Sequence, residues 1–210
     1  MMTLYGSTGS GSAAVELALV CCSARWRALR ASSWEADSAL EALRAINPLA
    51  QIPTLLLEDG SVLTESAAIL IHLGLTYPEA SLLPVDGTDR AQAIRGLIYI
   101  AANCYAAIGV VDYPERWMAD DGASAHDRLC AGARRRLHLQ WEVFADQFGV
   151  QLAAPGQRPA ALDFLSTVVS RWSGARAHVK ARRPALYAQM LAVEAHPDCA
   201  AVFARHWPST

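Results

Sequence analysis

The chain has 210 residues, of which 53% are hydrophobic, and a formal net charge of -2. That is enough apolar material for one large or two small domains, and the near-neutral charge removes any bulk attraction to nucleic acid or anionic lipid. No apolar run is seen to reach the roughly 18 residues of a membrane span, and the start, MMTLYGSTGS, lacks the basic region and long apolar stretch of a signal peptide, so the expected setting is the cytoplasm, with no nucleic-acid and no membrane partner.

Thr3 to Tyr5 reads as a short first strand, followed by the Gly/Ser-rich loop GSTGSGS. Ala13 to Cys22 is apolar and helix-forming, and Trp26 to Arg30 is a second strand. Ser38 to Glu41, SALE, has the spacing of a capping box and predicts a short helix. In QIPTLLLEDGSVLTES, residues 51–66, Pro53 has no N–H to donate and suits a strand start or an edge. Thr54 to Glu58 and Ser61 to Thr64 then read as strands on either side of an Asp59-Gly60 turn. The apolar period next changes from two to about 3.6, which predicts a helix from Glu65 to about Tyr77 with Thr64-Glu65-Ser66 at its start. The order βαβαββα is buried well by a parallel βαβ unit plus an antiparallel hairpin, with helices on both faces.

The stretch YPEASLLPVDGTDR, Tyr77 to Arg90, is rich in Pro, Gly and polar residues and marks the boundary. It divides a first domain at 1–80 from a second at 87–210. No strand pattern follows it. Ile94, Leu97, Ile98, Ala101, Tyr105 and Ile108 share one helical face. SAHD, Ser124 to Asp127, opens a second long helix running to about Phe148, and Asp163 to Trp172 forms a third. Pro184 to Val193 and Pro197 to Trp207 are shorter helices, each with proline in its first turn. The fold class is therefore α/β plus all-α. The basic run Arg134-Arg135-Arg136 lies in a helical pattern and is a solvated face.

The five cysteines, Cys21, Cys22, Cys104, Cys130 and Cys199, are odd in number, irregularly spaced and without a CxxC pair. They read as reduced thiols. HPDC, His196 to Cys199, is at most half a metal site, and no metal is expected.

A thioredoxin-like first half joined to an all-helical second half resembles the cytosolic glutathione transferases. The resemblance is carried by INPLAQIPTLLLEDGSVLTESAAILIHL, Ile46 to Leu73, with its Asn-Pro, Ile-Pro, hairpin and Glu-Ser at fixed mutual spacing. IYIAA, Ile98 to Ala102, is most similar to bacterial beta-class members. The resemblance implies a cis Ile52-Pro53 bond, with the Ile52 N–H and C=O turned toward the tripeptide backbone as if to an added strand. It also implies that the γ-glutamyl carboxylate lies at the helix start on Ser66, that Glu65 receives the ammonium, and that Gln51 touches the peptide. An isolated Ser or Glu at a helix start is ordinarily just a cap; the combined spacing points to glutathione.

The implied reaction needs a thiolate, and a free thiol near pKa ~8.5 is mostly protonated at neutral pH. In the family a Tyr, Ser or Cys in the loop after the first strand supplies the donor. Counting back from ELAL, Glu16 to Leu19, the beta-class cysteine position falls on Gly11, and no cysteine stands in the loop. The histidine of that class falls near Tyr105. Ser10 is the first candidate donor and Ser12 the second, against a loop with no catalytic hydroxyl. Tyr5, Tyr105 and Tyr113, with Cys104 and Trp117, are candidates to line the second-substrate pocket, although aromatics at helical spacing are more often core. Asn103 is a candidate to reach glutathione, its own or a neighbouring subunit's. The family also places a Ser or Thr cap three residues before an acid; here Asp163 is present but the cap position is Ala160, a loss of about 1 kcal/mol.

The resemblance thus implies a homodimer that binds glutathione as co-substrate and adds its thiolate to a small hydrophobic electrophile. The alternatives are a glutathione-dependent isomerase or dehalogenase, and a non-catalytic binding or interaction module on the same fold.

Overall fold

The computed structural model describes residues 1–119 and 123–208. The first half runs β1 (Met2–Gly6), α1 (Ser12–Cys21), β2 (Trp26–Arg30), α2 (Leu40–Ile46), β3 (Thr54–Leu56), β4 (Val62–Leu63) and α3 (Ser66–Thr76), in the order expected. The strands form one sheet ordered β2-β1-β3-β4. β1 and β2 are parallel, Met2 opposite Trp26. β3 is antiparallel to β1, Tyr5 opposite Thr54, and to β4, Leu55 opposite Leu63.

Alternation along β1 sends Leu4 into the main core and Tyr5 to a small cluster with Ala31 and Leu43 on the α2 side. α1 is apolar around most of its circumference because it is covered on several sides. It packs on the sheet, on α3 and on two helices of the second half, and Ala13 to Val15 and Leu17 to Leu19 are all fully buried.

Two local expectations differ in detail. Ser38 does not cap α2; its hydroxyl donates to the Ser32 carbonyl (2.7 Å) and accepts from the Ser32 N–H, and Ala39 takes the cap position with no side-chain bond. The hairpin turns one residue earlier than the Asp59-Gly60 pair suggested. The Gly60 N–H bonds the Leu57 carbonyl, and Gly60, at φ +87°, is the left-handed residue that follows the turn.

The second half contains α4 (Gly87–Tyr99), a π-helical turn (Ile100–Tyr105), α5 (Ala106–Asp112), α6 (Ala123–Phe148), α7 (Ala161–Val169), α8 (Ala175–Arg182), α9 (Pro184–Ala195) and α10 (Pro197–His206). The Asp86 carboxylate caps α4 through the Thr88 and Asp89 N–H groups. Trp141, Phe144 and Phe148 of α6 and Phe164 of α7 fill the core. α8 was not anticipated: only its Ala175 and Val179 are buried, too sparse an apolar period to read. Among the described residues, the continuous helical run Gly87–Asp112 is the one long and apolar enough to cross a membrane, with mean hydropathy 1.6. It escaped the sequence reading, and here it packs against α6 and α7 as a bundle helix.

Candidate functional site

The loop before β3 is braced from within. Asn47, buried, donates through Nδ2 to the Gln51 carbonyl (3.1 Å) and to Thr54 Oγ1 (3.0 Å), and its Oδ1 accepts the Leu49 N–H (3.1 Å). Thr54 Oγ1 in turn donates to the Gln51 carbonyl (2.8 Å). These bonds satisfy the polar interior of the turn and leave Ile52 at its rim. The Ile52-Pro53 bond is cis, as the resemblance implied. The Ile52 N–H and C=O have no hydrogen-bond partner among the described residues, and the Gln51 side chain is exposed.

Beside this rim α3 begins. Glu65 sits at φ +62°, a conformation that costs a non-glycine residue on the order of 1–3 kcal/mol and is typically held at functional sites. Its side chain is exposed and Ser66 is buried. No side chain caps the helix, so the first-turn N–H groups and the positive end of the dipole are open to an anion.

The third wall is the loop into α1. Ser10 and Ser12, the expected thiol donors, are turned inward. Ser10 Oγ donates to the Ser7 carbonyl (2.7 Å), Ser10 and Ser12 share a hydrogen bond of 2.8 Å, and Ser12 Oγ also reaches the Ser7 carbonyl (3.2 Å). Gly9 is held from the far end of the chain: its N–H donates to His206 Nδ1 (3.1 Å). That nitrogen therefore carries no proton, and His206 Nε2–H donates to Glu16 (2.9 Å). Burial works against ionising Glu16, but its bonds to His206 and Arg205 outweigh it and hold the carboxyl below its ordinary range. The sequence reading missed this Glu16–His206–Gly9 link, which joins residues almost two hundred positions apart.

Tyr105 reaches into the same place from the π-helical turn. A methyl group on Gly11 would overlap its hydroxyl, Pro53 Cδ lies 3.9 Å from that point, and Ser66 is a neighbour that favours ionising the phenol. Trp172 lies against Tyr105, with ring centroids 6.3 Å apart, and the indole of Trp207 flanks Gly9. Gly11, Pro53, Ser66 and Tyr105 are thus brought together.

The other expected residues are not. Tyr5 belongs to the core under α2, because strand alternation turns it away from α1. Tyr113 is exposed beyond α5 with the Arg116 guanidinium stacked on it at 3.9 Å. Asn103 bonds its own helix at the Tyr99 carbonyl (3.1 Å) and, with Trp117, lines a separate cavity of about 180 Å³ against α6. Cys104 is fully buried, which pushes its thiol up to about 12. The described residues hold no cluster of three or more metal-binding side chains.

A βαβαββα unit with a cis-proline turn before its third strand, followed by a helical bundle, defines the thioredoxin-like plus all-helical class. Residues 14–75 match the family model for the glutathione S-transferase N-terminal domain. The chain is 36% identical over 121 residues to the uncharacterised GST-like protein YncG of Escherichia coli K12 (57% of this chain, 58% of that protein). It is 31% identical over 130 residues to glutathione S-transferase GstA of Escherichia coli O157:H7 (61% and 60%). The matched stretches thus span about three fifths of these relatives. A glutathione transferase homologue from Sulfitobacter, solved with bound glutathione, superposes with a TM-score of 0.83 at 26% identity, covering 96% of each chain. Residues 14–75 thus resemble a glutathione S-transferase N-terminal domain, and the fold of the whole chain is similar to that of the Sulfitobacter glutathione transferase homologue.

Proposed function

We propose that this protein binds glutathione along the Ile52-Pro53 rim and adds its sulfur to a small hydrophobic electrophile, acting as a cytoplasmic homodimer. The observation that carries the reading is the convergence of the unpartnered Ile52 backbone with the open N-terminus of α3. The Ile52 N–H and C=O pair with the cysteinyl backbone of the tripeptide. Ser66 and the first-turn amides receive the γ-glutamyl carboxylate, Glu65 the ammonium, and Gln51 the rest of the peptide. The cysteinyl side chain then points across the rim toward Gly11. Trp172 and Trp207, both only partly buried, wall the electrophile's side with Tyr105.

The test is titration calorimetry with glutathione and with S-methylglutathione, followed by a screen of electrophile classes in the presence of glutathione. Saturable binding with turnover of at least one electrophile supports the proposal. Binding without turnover, and without ionisation of the bound thiol, leaves a carrier or scaffold.

A further inference from the structure

We propose that the Tyr105 hydroxyl is the group that donates to the sulfur of bound glutathione and holds it as the thiolate. The inference rests on the glutathione site proposed above and deepens it. Neither loop serine is free for the task. The two hydroxyls have two protons between them; Ser10 gives its proton to the Ser7 carbonyl, and that of Ser12 is directed to the same carbonyl or to Ser10. Both side chains are buried. Cys104 cannot substitute, since it is buried away from the rim and stays protonated.

Gly11 supplies the second observation. Its backbone, at φ -60° and ψ -16°, is ordinary right-handed helix that any L-residue adopts. Glycine is therefore not needed there for conformation. It is needed for space, because a Cβ would overlap the Tyr105 hydroxyl. The place where a side chain at the start of α1 would stand is filled instead by a hydroxyl from the other half of the chain.

The π-helical turn at Ile100–Tyr105 accounts for how the hydroxyl arrives. One extra residue in a helical turn rotates everything after it by about 100°. Relative to the face set by α4, this turn re-aims Tyr105 toward α1 and Pro53. Burial pushes the Tyr105 hydroxyl above its ordinary range, nearby Ser66 works the other way, and Glu65 is the ionisable neighbour, also raising it. A phenol that keeps its proton acts as a donor and not as a base. The glutathione S–H therefore gives its proton to solvent, and the Tyr105 O–H donates to the resulting thiolate. The sulfur electron pair then forms the new bond to the electrophile, whose leaving group departs with its own pair.

The experiment follows the ultraviolet thiolate band of bound glutathione against pH, in the wild type and in Tyr105→Phe, Gly11→Ala and Ser10→Ala, with S-methylglutathione affinity measured in parallel. Phenylalanine keeps the ring against Trp172 and removes only the donor. The expected result is a bound-thiol pKa about one to two pH units higher in Tyr105→Phe, with kcat/KM at neutral pH lower by about 10- to 100-fold. S-methylglutathione, which has no proton to lose, should bind almost as before. Gly11→Ala should move the thiol in the same direction by displacing the hydroxyl, and it provides the answer if the phenylalanine variant does not fold. A Tyr105→Phe protein with the wild-type thiolate titration overturns the inference, as does a rise in Ser10→Ala in its place. Weaker S-methylglutathione binding with an unchanged titration reduces Tyr105 to a support for Ser66 and also overturns it. A wild type that binds neither ligand overturns the glutathione site itself, which is a separate outcome.

Discussion

Replacing Asp163 by asparagine probes the helix that packs behind the candidate site. α7 packs against α1, α3, α4 and the π-helical turn. Asp163 is 2% exposed and accepts the N–H groups of Ala160 (2.8 Å) and Ala153 (2.9 Å). Burial outweighs these donors and pushes its carboxyl from an ordinary 3.8 up to about 6. The folded protein therefore binds this proton more tightly than the unfolded chain does. Its contribution to stability is complete below 3.8 and is lost as the pH rises through about 6. At about 1.36 kcal/mol per pH unit the loss amounts to roughly 3 kcal/mol. Asparagine does not titrate, and the other ionisations cancel in the difference between the two proteins. Urea unfolding at a series of pH values should show the wild type losing roughly 3 kcal/mol relative to Asp163→Asn between about pH 3.5 and about pH 7. A wild-type advantage that grows with pH would mean that the two backbone donors outweigh burial, and the reasoning would be wrong.

Ser66→Ala and Glu65→Gln should each weaken glutathione binding by about tenfold or more by calorimetry, since each would remove a charge-assisted contact of the proposed site; unchanged affinity in both would move the γ-glutamyl group elsewhere. His206→Phe strips the Gly9 N–H of its acceptor and Glu16 of a donor. It should lower the urea midpoint by an amount equivalent to about 2 kcal/mol and weaken glutathione binding through the loosened loop. Glu16, whose carboxyl is held low, stabilises the protein above 4.5 and loses that contribution as the pH falls through its folded value. A Glu16→Gln protein should accordingly show less acid destabilisation than the wild type. Gly96→Ala places a methyl 2.9 Å from both Leu162 Cδ atoms. The overlap should cost about 1–3 kcal/mol in thermal unfolding, against the ~1 kcal/mol that alanine gains in a helix; a net stabilisation would show that Leu162 yields freely.

The parts of the candidate site that the sequence suggested are those that lie close together along it. The hairpin, Pro53, Glu65 and Ser66 occupy one stretch, and their mutual spacing carries the information. The change of apolar period after β4 marked α3, and a parallel βαβ unit with an antiparallel hairpin followed from burying the βαβαββα pattern. What was not legible depends on packing between distant segments. Ser10 and Ser12 looked like free hydroxyls because nothing local shows that the Ser7 carbonyl engages them. Gly11 looked like a missing cysteine; that its lack of a side chain accommodates Tyr105, ninety-four positions on, is a fact of the fold. A π-helical turn has no signature in apolar periodicity, so a helical face drawn through Tyr105 pointed to pocket or core and not to α1. SALE matched a capping box, yet Ser38 found a better partner in the Ser32 backbone across the turn.

The most direct test of the glutathione reading is proton release on binding. Free glutathione is mostly a thiol at pH 7, given a pKa of about 8.5. Calorimetry of its binding in two buffers of different ionisation enthalpy counts the protons set free. Close to one proton per glutathione, and none for S-methylglutathione, is the expected result. Binding that releases no proton, or no binding at all, contradicts the account.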